Sequence, residues 1–293
     1  MRNQQTLYVH ESPDLDAFFS LCAAWEFIPY ARDAKIEFVP VNWNGRGMGP
    51  DDMAFDMEAG GRGIKGVRDA DGKVHSCFAT IVAQYASPEA QRALQELVQF
   101  VDTQDTDGSV VQKYAHMLPK DAQDMIQFTS INAVLRAFQN ALGDDLLVLE
   151  RMSEMFSGFL KSGKNRIRGR EEADAAKYFH AGKIALLENP KKSGTINELF
   201  SRGVRVVVLV DGFDLRVKRG HGDEDGFRVD HPSLIAVIEQ AGEKVSHEGG
   251  QGDWFAHSAG FLLARGGRKG ERAKTPSKVN PYDLIDALEK ILP

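Results

Sequence analysis

The chain has 293 residues, 42% of them hydrophobic and 27% charged, which excludes gross disorder and allows one large or two smaller folded domains. A formal net charge of −6 argues against a protein held to nucleic acid by a diffuse basic field. The two cysteines, Cys22 and Cys77, lie in apolar sequence, which excludes a disulfide framework and a cysteine-based zinc site. Neither a secretory signal nor a membrane-length apolar stretch is visible, so we expect a cytoplasmic protein with no membrane partner.

Short apolar strands alternate with helical patterns in the first hundred residues. The sequence predicts strands over 6–10, 36–41 and 53–56, and helices over 17–27, 76–85 and 89–101. A loop rich in glycine and aspartate covers 57–74. This order predicts an α/β domain with a largely parallel sheet.

Helical patterns alone follow from about 120 to 180, and the polar run over 162–172 is expected to break or expose the chain. A second α/β region comes next, with strands predicted over 182–188, 204–213 and 254–263 and helices over 232–241 and 281–292. The predicted organisation is therefore two α/β regions joined by a helical connection.

A histidine lies at the end of the first predicted strand, and two aspartates follow it. His10 ends that strand, at the sheet edge where open α/β folds place their sites, and Asp14 and Asp16 precede the helix. Helix capping explains one aspartate but not the other, nor the histidine. One imidazole with two carboxylates suits Mn²⁺ or Mg²⁺ better than structural zinc, so we predict a divalent-metal site here.

Further acidic residues follow later elements. Asp56 ends the third predicted strand and would lie at the same sheet edge, and Asp102, Asp105 and Asp107 are expected after a helix. A calcium loop over this last segment would require glutamate where Tyr114 stands, so we reject it. A solvated acidic turn stays open as an alternative for that segment.

These segments resemble the DHH phosphoesterase superfamily, which includes RecJ exonucleases, oligoribonucleases, cyclic-dinucleotide phosphodiesterases and exopolyphosphatases. His10, Asp14 and Asp16 between strand and helix match its first motif, Asp56 matches its second, and Asp102 or Asp105 matches its fourth. The sequences DMEAGG and WFAHSAGFLLARGG resemble the exonuclease branch related to the melanocyte-proliferating protein. The resemblance implies an α/β fold with three parts: a DHH-type parallel-sheet catalytic domain (1–125), a helical connection (126–178) and a smaller DHH-associated α/β substrate-binding domain (179–293).

The Asp-His-His triplet that names the superfamily is missing from this chain. The substitute we favour is His75, just before a predicted helix, where it could serve a second metal or the leaving group. An ordinary histidine at a helix start is the alternative interpretation, and Asp69 and Asp71 are weaker candidates.

Basic residues near glycines are the candidate substrate contacts. Arg62 and Lys65 lie within a Gly61-x-Gly63-x-x-Gly66 pattern, which no clear helix follows, so a basic loop near a phosphate is favoured over a dinucleotide fingerprint. Toward the C-terminus, His257, Gly266, Gly267 and Arg268 are expected to bind the far end of the substrate. Plain surface loops are the alternative at both places.

The resemblance implies metal-dependent hydrolysis of a phosphodiester or phosphoanhydride. His10 and Asp14 would hold one ion and Asp16 a second, Asp56 would bridge them, and Asp102 or Asp105 would complete the set, with Asp56 and His75 catalytic. The expected partner is a phosphate-containing small molecule or short nucleic acid, and a homodimer is left open. Two alternatives remain: a nucleotide-binding or regulatory relative with weakened catalysis, and an unrelated α/β protein.

Overall fold

A computed structural model describes residues 5–68, 70–108, 117–191, 194–220, 226–247, 253–265 and 275–292. The chain divides into two compact units, Met1–Lys164 and Asn165–Pro293. Each unit has its own β-sheet.

The N-terminal unit is built on a three-stranded parallel sheet. Strands β1 (Thr6–His10), β2 (Lys35–Val39) and β3 (Met53–Phe55) lie in the order β2-β1-β3, and β1 pairs in parallel with both neighbours. Leu7 and Val9 are fully buried on one face of β1, and Tyr8 stacks on Trp43 on the other. The predicted α/β class with a parallel sheet is confirmed, and the carboxyl ends of β1 and β3 meet at one edge.

Three helices accompany this sheet: the first follows β1, and the other two follow β3. They are α1 (Leu15–Phe27), α2 (Cys77–Tyr85) and α3 (Pro88–Thr106), and serine side chains cap the last two. The prediction that Asp102 and Asp105 follow a helix is wrong, because α3 continues past residue 101 to Thr106. No glycine or proline interrupts α3 before Gly108, whose φ is +86°. The two aspartates therefore lie one turn apart on α3.

The helix-only region consists of α4 (Lys120–Thr129), α5 (Ile131–Leu142) and α6 (Asp145–Asp174). Of the two outcomes predicted for 162–172, a break is wrong, since α6 runs through it without interruption, and exposure is confirmed for Ser162, Arg170 and Glu171. Its two glycines there are sites of close approach: a Cβ on Gly163 would lie 1.9 Å from the carbonyl oxygen of Ala93, and one on Gly169 would lie 3.0 Å from backbone atoms of Gly194. These glycines are required by packing and do not end the helix.

The C-terminal unit has a seven-stranded mixed sheet, ordered β4-β5-β6-β7-β10-β9-β8. Pairs β5–β6 and β8–β9 are parallel and the other pairs are antiparallel. The strands are β4 (Lys177–Phe179), β5 (Ile184–Glu188), β6 (Val206–Asp211), β7 (Asp214–Arg219), β8 (Val245–Ser246), β9 (Trp254–Ala256) and β10 (Leu262–Arg265). The helices are α7 (Thr195–Ser201), α8 (Pro232–Gln240) and α9 (Pro281–Ile291).

Two strands predicted in this unit are shorter than expected, because each prediction ran across a turn. Residues 204–213 contain the turn at Gly212 (φ +61°), after which β7 pairs back on β6. Residues 254–263 contain the turn at Gly260 (φ +65°), which separates β9 from β10. Both glycines adopt the left-handed conformation that such turns require.

Among the described residues, none of the helices is both long and apolar enough to cross a bilayer.

Candidate metal centre

Three potential metal ligands meet at the carboxyl edge of the parallel sheet. His10 is the last residue of β1, and Asp56 directly follows β3, whose Phe55 is in register with Val9. Asp14 comes from the turn between β1 and α1. One ligand atom from each of these residues lies within 4.8 Å of the other two. An ion about 2.1 Å from each ligand atom would need only a small inward movement of the side chains.

His10 is oriented to present one ring nitrogen to this group. Its Nδ1 lies 3.0 Å from the carbonyl oxygen of Glu11, which can only accept, so Nδ1 donates and Nε2 faces Asp56 Oδ2 at 3.3 Å. The hydrogen bond to Asp56 raises the pKa of His10 to about 9, against the opposing effect of burial. A cation bound at Nε2 would replace that proton.

Asp14 has a second role as the N-cap of α1. Its Oδ1 accepts a hydrogen bond of 3.0 Å from the amide of Ala17, and this fixes the carboxylate at the start of the helix. Capping and metal binding are compatible here, because a carboxylate offers about four lone-pair sites.

Two backbone positions beside the centre are strained. Ser12 (φ 53°) and Asp56 (φ 54°) are non-glycine residues in the left-handed region. Residues held in this way cost roughly 1–3 kcal/mol each and cluster at functional sites. The conformation of Asp56 is held in part by its own amide, which donates to the carbonyl oxygen of Ile64 at 2.9 Å.

Asp16 lies outside the three-ligand group and is directed at the start of α2. It is 2% exposed, and its two oxygens accept hydrogen bonds of 2.8 Å from the amides of Cys77 and Phe78. Burial, followed by the negative charge of Asp56, raises the pKa of Asp16 to about 8. Asp16 therefore links α1 to α2 by hydrogen bonds, and the negative charge of Asp56 in the three-ligand group affects its pKa.

Asp102 orients His75. Asp102 is 4% exposed, and its Oδ2 accepts hydrogen bonds of 3.0 Å from His75 Nδ1 and from Lys73 Nζ, while its Oδ1 accepts one of 2.7 Å from the amide of Ser76. Burial alone would raise the pKa of Asp102, but these hydrogen bonds lower it below the ordinary value. Since Nδ1 donates to Asp102, the neutral form of His75 has its acceptor lone pair on Nε2.

Asp105 lies one turn beyond Asp102 on α3 and is exposed. Desolvation, then the negative charges of Asp56 and Asp14, raise the pKa of Asp105 to about 6. Asp105 also lines the same pocket as Asp14, which places it beside the three-ligand group. One further acid, Asp145 at the start of α6, was not predicted from the sequence. It accepts a hydrogen bond from the Ser12 backbone and interacts electrostatically with His10. The sequence around Asp145 contains no motif that would have identified it.

The predicted basic loop is held by local contacts. Arg62 donates to the carbonyl oxygens of Met48 (3.0 Å) and Gly49 (2.6 Å), and Lys65 lies 3.4 Å from a carboxylate oxygen of Glu58. Two of the loop glycines are needed for close packing. A Cβ on Gly63 would lie 2.0 Å from the Met57 carbonyl oxygen, and one on Gly66 would lie 1.4 Å from that of His75.

The candidate substrate contacts of the C-terminal unit are described only in part. His257 lies in the turn after β9, where its Nδ1 accepts a hydrogen bond of 3.1 Å from the amide of Ala259. Its ring lies 4.1 Å from that of Phe261. Gly266, Gly267 and Arg268 lie outside the described residues, as does Asp69.

Comparison with known proteins gives neither a matching family model nor a match among the curated proteins. Solved structures give distant matches. A pGpG-specific phosphodiesterase from Vibrio cholerae is 10% identical, with 89% of this chain and 92% of that chain covered and a TM-score of 0.31. RecJ from Thermus thermophilus, solved with Mg²⁺, is 10% identical, with 98% and 50% covered and a TM-score of 0.29. An exonuclease RecJ bound to manganese is 11% identical, with 98% and 91% covered and a TM-score of 0.31. With TM-scores and identities this low, the activities of these proteins are not transferred to this chain.

Proposed function

We propose that this chain is a metal-dependent phosphoesterase that hydrolyses a phosphodiester or phosphoanhydride bond. The observation that carries the proposal is the convergence of His10, Asp14 and Asp56, whose ligand atoms lie within 4.8 Å of one another at the carboxyl edge of a parallel sheet. One imidazole and two carboxylates form a ligand set that suits Mn²⁺ or Mg²⁺. A divalent cation held there supplies charge that offsets the phosphate and lowers the pKa of a water molecule.

The residues around this group have separate roles in the proposal. Asp105 is better suited than Asp102 to join the metal ligands, because both oxygens of Asp102 are already engaged by Ser76, Lys73 and His75. A second ion would draw on Asp56 and Asp105, and on Asp16 only through an oxygen that already accepts an amide hydrogen bond.

His75 is the proposed acid–base residue. Its Nδ1 proton is held by Asp102, so its Nε2 can accept a proton or, once protonated, donate one to the leaving oxygen. The hydrogen bond to Asp102 supports the proposal that His75 acts in place of the missing histidines.

The test combines metal binding with turnover. The full chain, with Mn²⁺ or Mg²⁺, is assayed on bis(p-nitrophenyl) phosphate and on short oligonucleotides, and metal binding is measured by calorimetry. Asp14→Asn should reduce both metal affinity and activity, by at least about tenfold each. The matched control is Asp51→Asn, the same chemical change at an exposed residue just before the amino end of β3.

Three outcomes separate the alternatives. Metal-dependent hydrolysis that Asp14→Asn abolishes and Asp51→Asn keeps supports the phosphoesterase. Nucleotide binding without turnover by any substrate supports the regulatory alternative. Absence of both metal binding and hydrolysis contradicts the proposal and favours an unrelated α/β protein.

A further inference from the structure

Cys77 is a buried side chain to which the proposed function assigns no role. It is the first residue of α2, it is 0% exposed, and its thiol forms no disulfide. A buried free cysteine usually behaves as a small apolar side chain with a weak donor. The sulfur of Cys77 departs from this behaviour, because it makes two polar contacts with the segment that follows β3.

The first contact is with Asp56, one of the three candidate metal ligands. The amide of Asp56 donates to the sulfur of Cys77 at 3.3 Å and to the carbonyl oxygen of Ile64 at 2.9 Å. The second contact runs from the thiol, which donates to that same carbonyl oxygen at 3.0 Å. The thiol, the Asp56 amide and the Ile64 carbonyl therefore form a closed group, in which the sulfur both donates and accepts.

The parallel sheet continues for one position beyond β3. Ile64 forms an isolated parallel bridge with Phe55, and its amide donates to the carbonyl oxygen of Ala54 at 2.7 Å. Asp56 follows this bridge with φ 54°, a conformation that is costly for a residue other than glycine. Hydrogen bonds of its backbone offset that cost, and among the described residues Cys77 supplies the side chain that bonds to the Asp56 amide.

The backbone of Cys77 is fixed from the other side by Asp16. Oδ2 of Asp16 accepts a hydrogen bond from the Cys77 amide at 2.8 Å, and its Oδ1 accepts one from the Phe78 amide at 2.8 Å. Ser76 caps the same end of α2 through its side chain. Cys77 therefore connects Asp16, at the start of α1, to Asp56, which directly follows β3.

We propose that Cys77 is a positioning residue of the metal centre, whose thiol holds Asp56 in the left-handed backbone conformation that directs its carboxylate toward His10 and Asp14. This inference rests on the proposed function and deepens it, because it adds to the three ligands a residue that supports one of them. Cys77 acts through Asp56 and contacts neither the metal ion nor the substrate.

The experiment measures the binding of Mn²⁺ to the full chain by calorimetry. Cys77→Ala deletes the sulfur and leaves the Asp56 amide with Ile64 as its acceptor, so Asp56 is held less firmly. We expect the dissociation constant for Mn²⁺ to rise about tenfold, the lower end of the range for losing a group that orients a metal ligand. The electron paramagnetic resonance spectrum of the bound Mn²⁺ should change with it. Cys77→Ser should recover part of the affinity, since a hydroxyl also donates and accepts.

The matched control is Cys22→Ala, the same change at the other buried cysteine. Cys22 lies on α1, is 1% exposed, and has no hydrogen bond from its thiol to the three ligands, all of which belong to the described part of the chain. Both alanine variants leave a cavity and should lower the midpoint of thermal unfolding, but only Cys77→Ala should weaken Mn²⁺ binding. The inference is overturned if Cys77→Ala binds Mn²⁺ as tightly as the native chain, or if Cys22→Ala weakens binding as much. If Cys77→Ala does not fold, Cys77→Ser is compared with Cys22→Ser in the same way.

A measurement without metal keeps this test separate from that of the proposed function. Hydrogen exchange of the Asp56 amide is followed by NMR in the metal-free chain and expressed relative to that of Val9 in β1, so that a change in overall stability cancels. Cys77→Ala should raise this ratio by at least about threefold and Cys22→Ala should leave it unchanged. If the native chain binds no Mn²⁺, the proposed function fails, and the exchange ratio alone decides whether Cys77 holds Asp56. Metal-dependent hydrolysis that Cys77→Ala leaves unchanged, with an unchanged ratio, supports the phosphoesterase and refutes the role of Cys77.

Discussion

Two glycines of helix α6 should respond in opposite directions to the same substitution. Gly158 is exposed, and a Cβ placed there would meet nothing within 4 Å. Gly158→Ala should therefore stabilise the chain by up to about 1 kcal/mol, which is the difference in helix propensity between the two residues. Gly163 is buried, and a Cβ there would lie 1.9 Å from the Ala93 carbonyl oxygen and 2.6 Å from its carbon.

Gly163→Ala gains the same helix propensity but forces α6 away from the backbone of α3. Overpacking of a well-packed interior costs about 1–3 kcal/mol and occasionally more, so the net change should be a loss of up to about 2 kcal/mol. The two variants should then differ by about 1–3 kcal/mol in the free energy of unfolding. This difference follows from contact with backbone atoms, which cannot rotate away.

The assay is urea unfolding of the full chain, followed by circular dichroism and by fluorescence, with each variant compared with the native chain. Because the chain has two compact units, the comparison uses the transition that shifts in both variants, so that a common unfolding step is measured. If Gly163→Ala is as stabilising as Gly158→Ala, the close approach of α6 to α3 is refuted.

Three further predictions concern polar contacts. Glu243→Gln removes the partner of buried Arg265 (3.1 Å) and should destabilise the C-terminal unit by about 3 kcal/mol at pH 7. Burial alone would raise the pKa of Glu243, but hydrogen bonds and Arg265 lower it, so its contribution is present above the ordinary glutamate pKa and lost as pH falls. Urea unfolding at pH 7 and pH 4 should show a smaller deficit at pH 4, and an equal deficit at both would contradict the reasoning. Asp16→Asn replaces one acceptor of an α2 amide with a donor and should cost about 1–3 kcal/mol in thermal or urea unfolding of the N-terminal unit, whereas an unchanged midpoint would refute the tie between α1 and α2. Asp102→Asn should favour the His75 tautomer with its proton on Nε2 and lower kcat by about 10²- to 10⁴-fold, and nitrogen NMR of the ring showing an unchanged tautomer would exclude this explanation.

Strand β1, the start of α1 and two residues of the candidate metal centre could be predicted from the local sequence pattern. The apolar run ending in His10, with Asp14 as the helix cap, contains within a few residues the information that places both side chains at a sheet edge. Asp56 could be added because parallel strands align their carboxyl ends.

Features that depend on packing between distant segments could not be predicted in this way. Glycine is a weak helix former, so the sequence alone predicts a helix break near Gly163. The structure places Gly163 inside α6, where the backbone of Ala93 leaves no room for a side chain. Arg136 lies in an amphipathic helix without a motif. It lines the same pocket as Asp14, in a part of the fold where Gln139 of α5 donates a hydrogen bond to the carbonyl oxygen of Pro13. Asp16 satisfied the first motif as sequence, while its contacts with the start of α2 involve amides about sixty residues away.

The metal centre is tested most directly by the anomalous difference map of a crystal soaked in Mn²⁺. We predict a peak about 2.0–2.3 Å from His10 Nε2 and from one carboxylate oxygen each of Asp14 and Asp56. An Asp56→Asn crystal treated in the same way should lose or weaken that peak. A fully soaked native crystal with no peak at these three residues, or with manganese bound only elsewhere, would contradict the metal centre on which the proposed function rests.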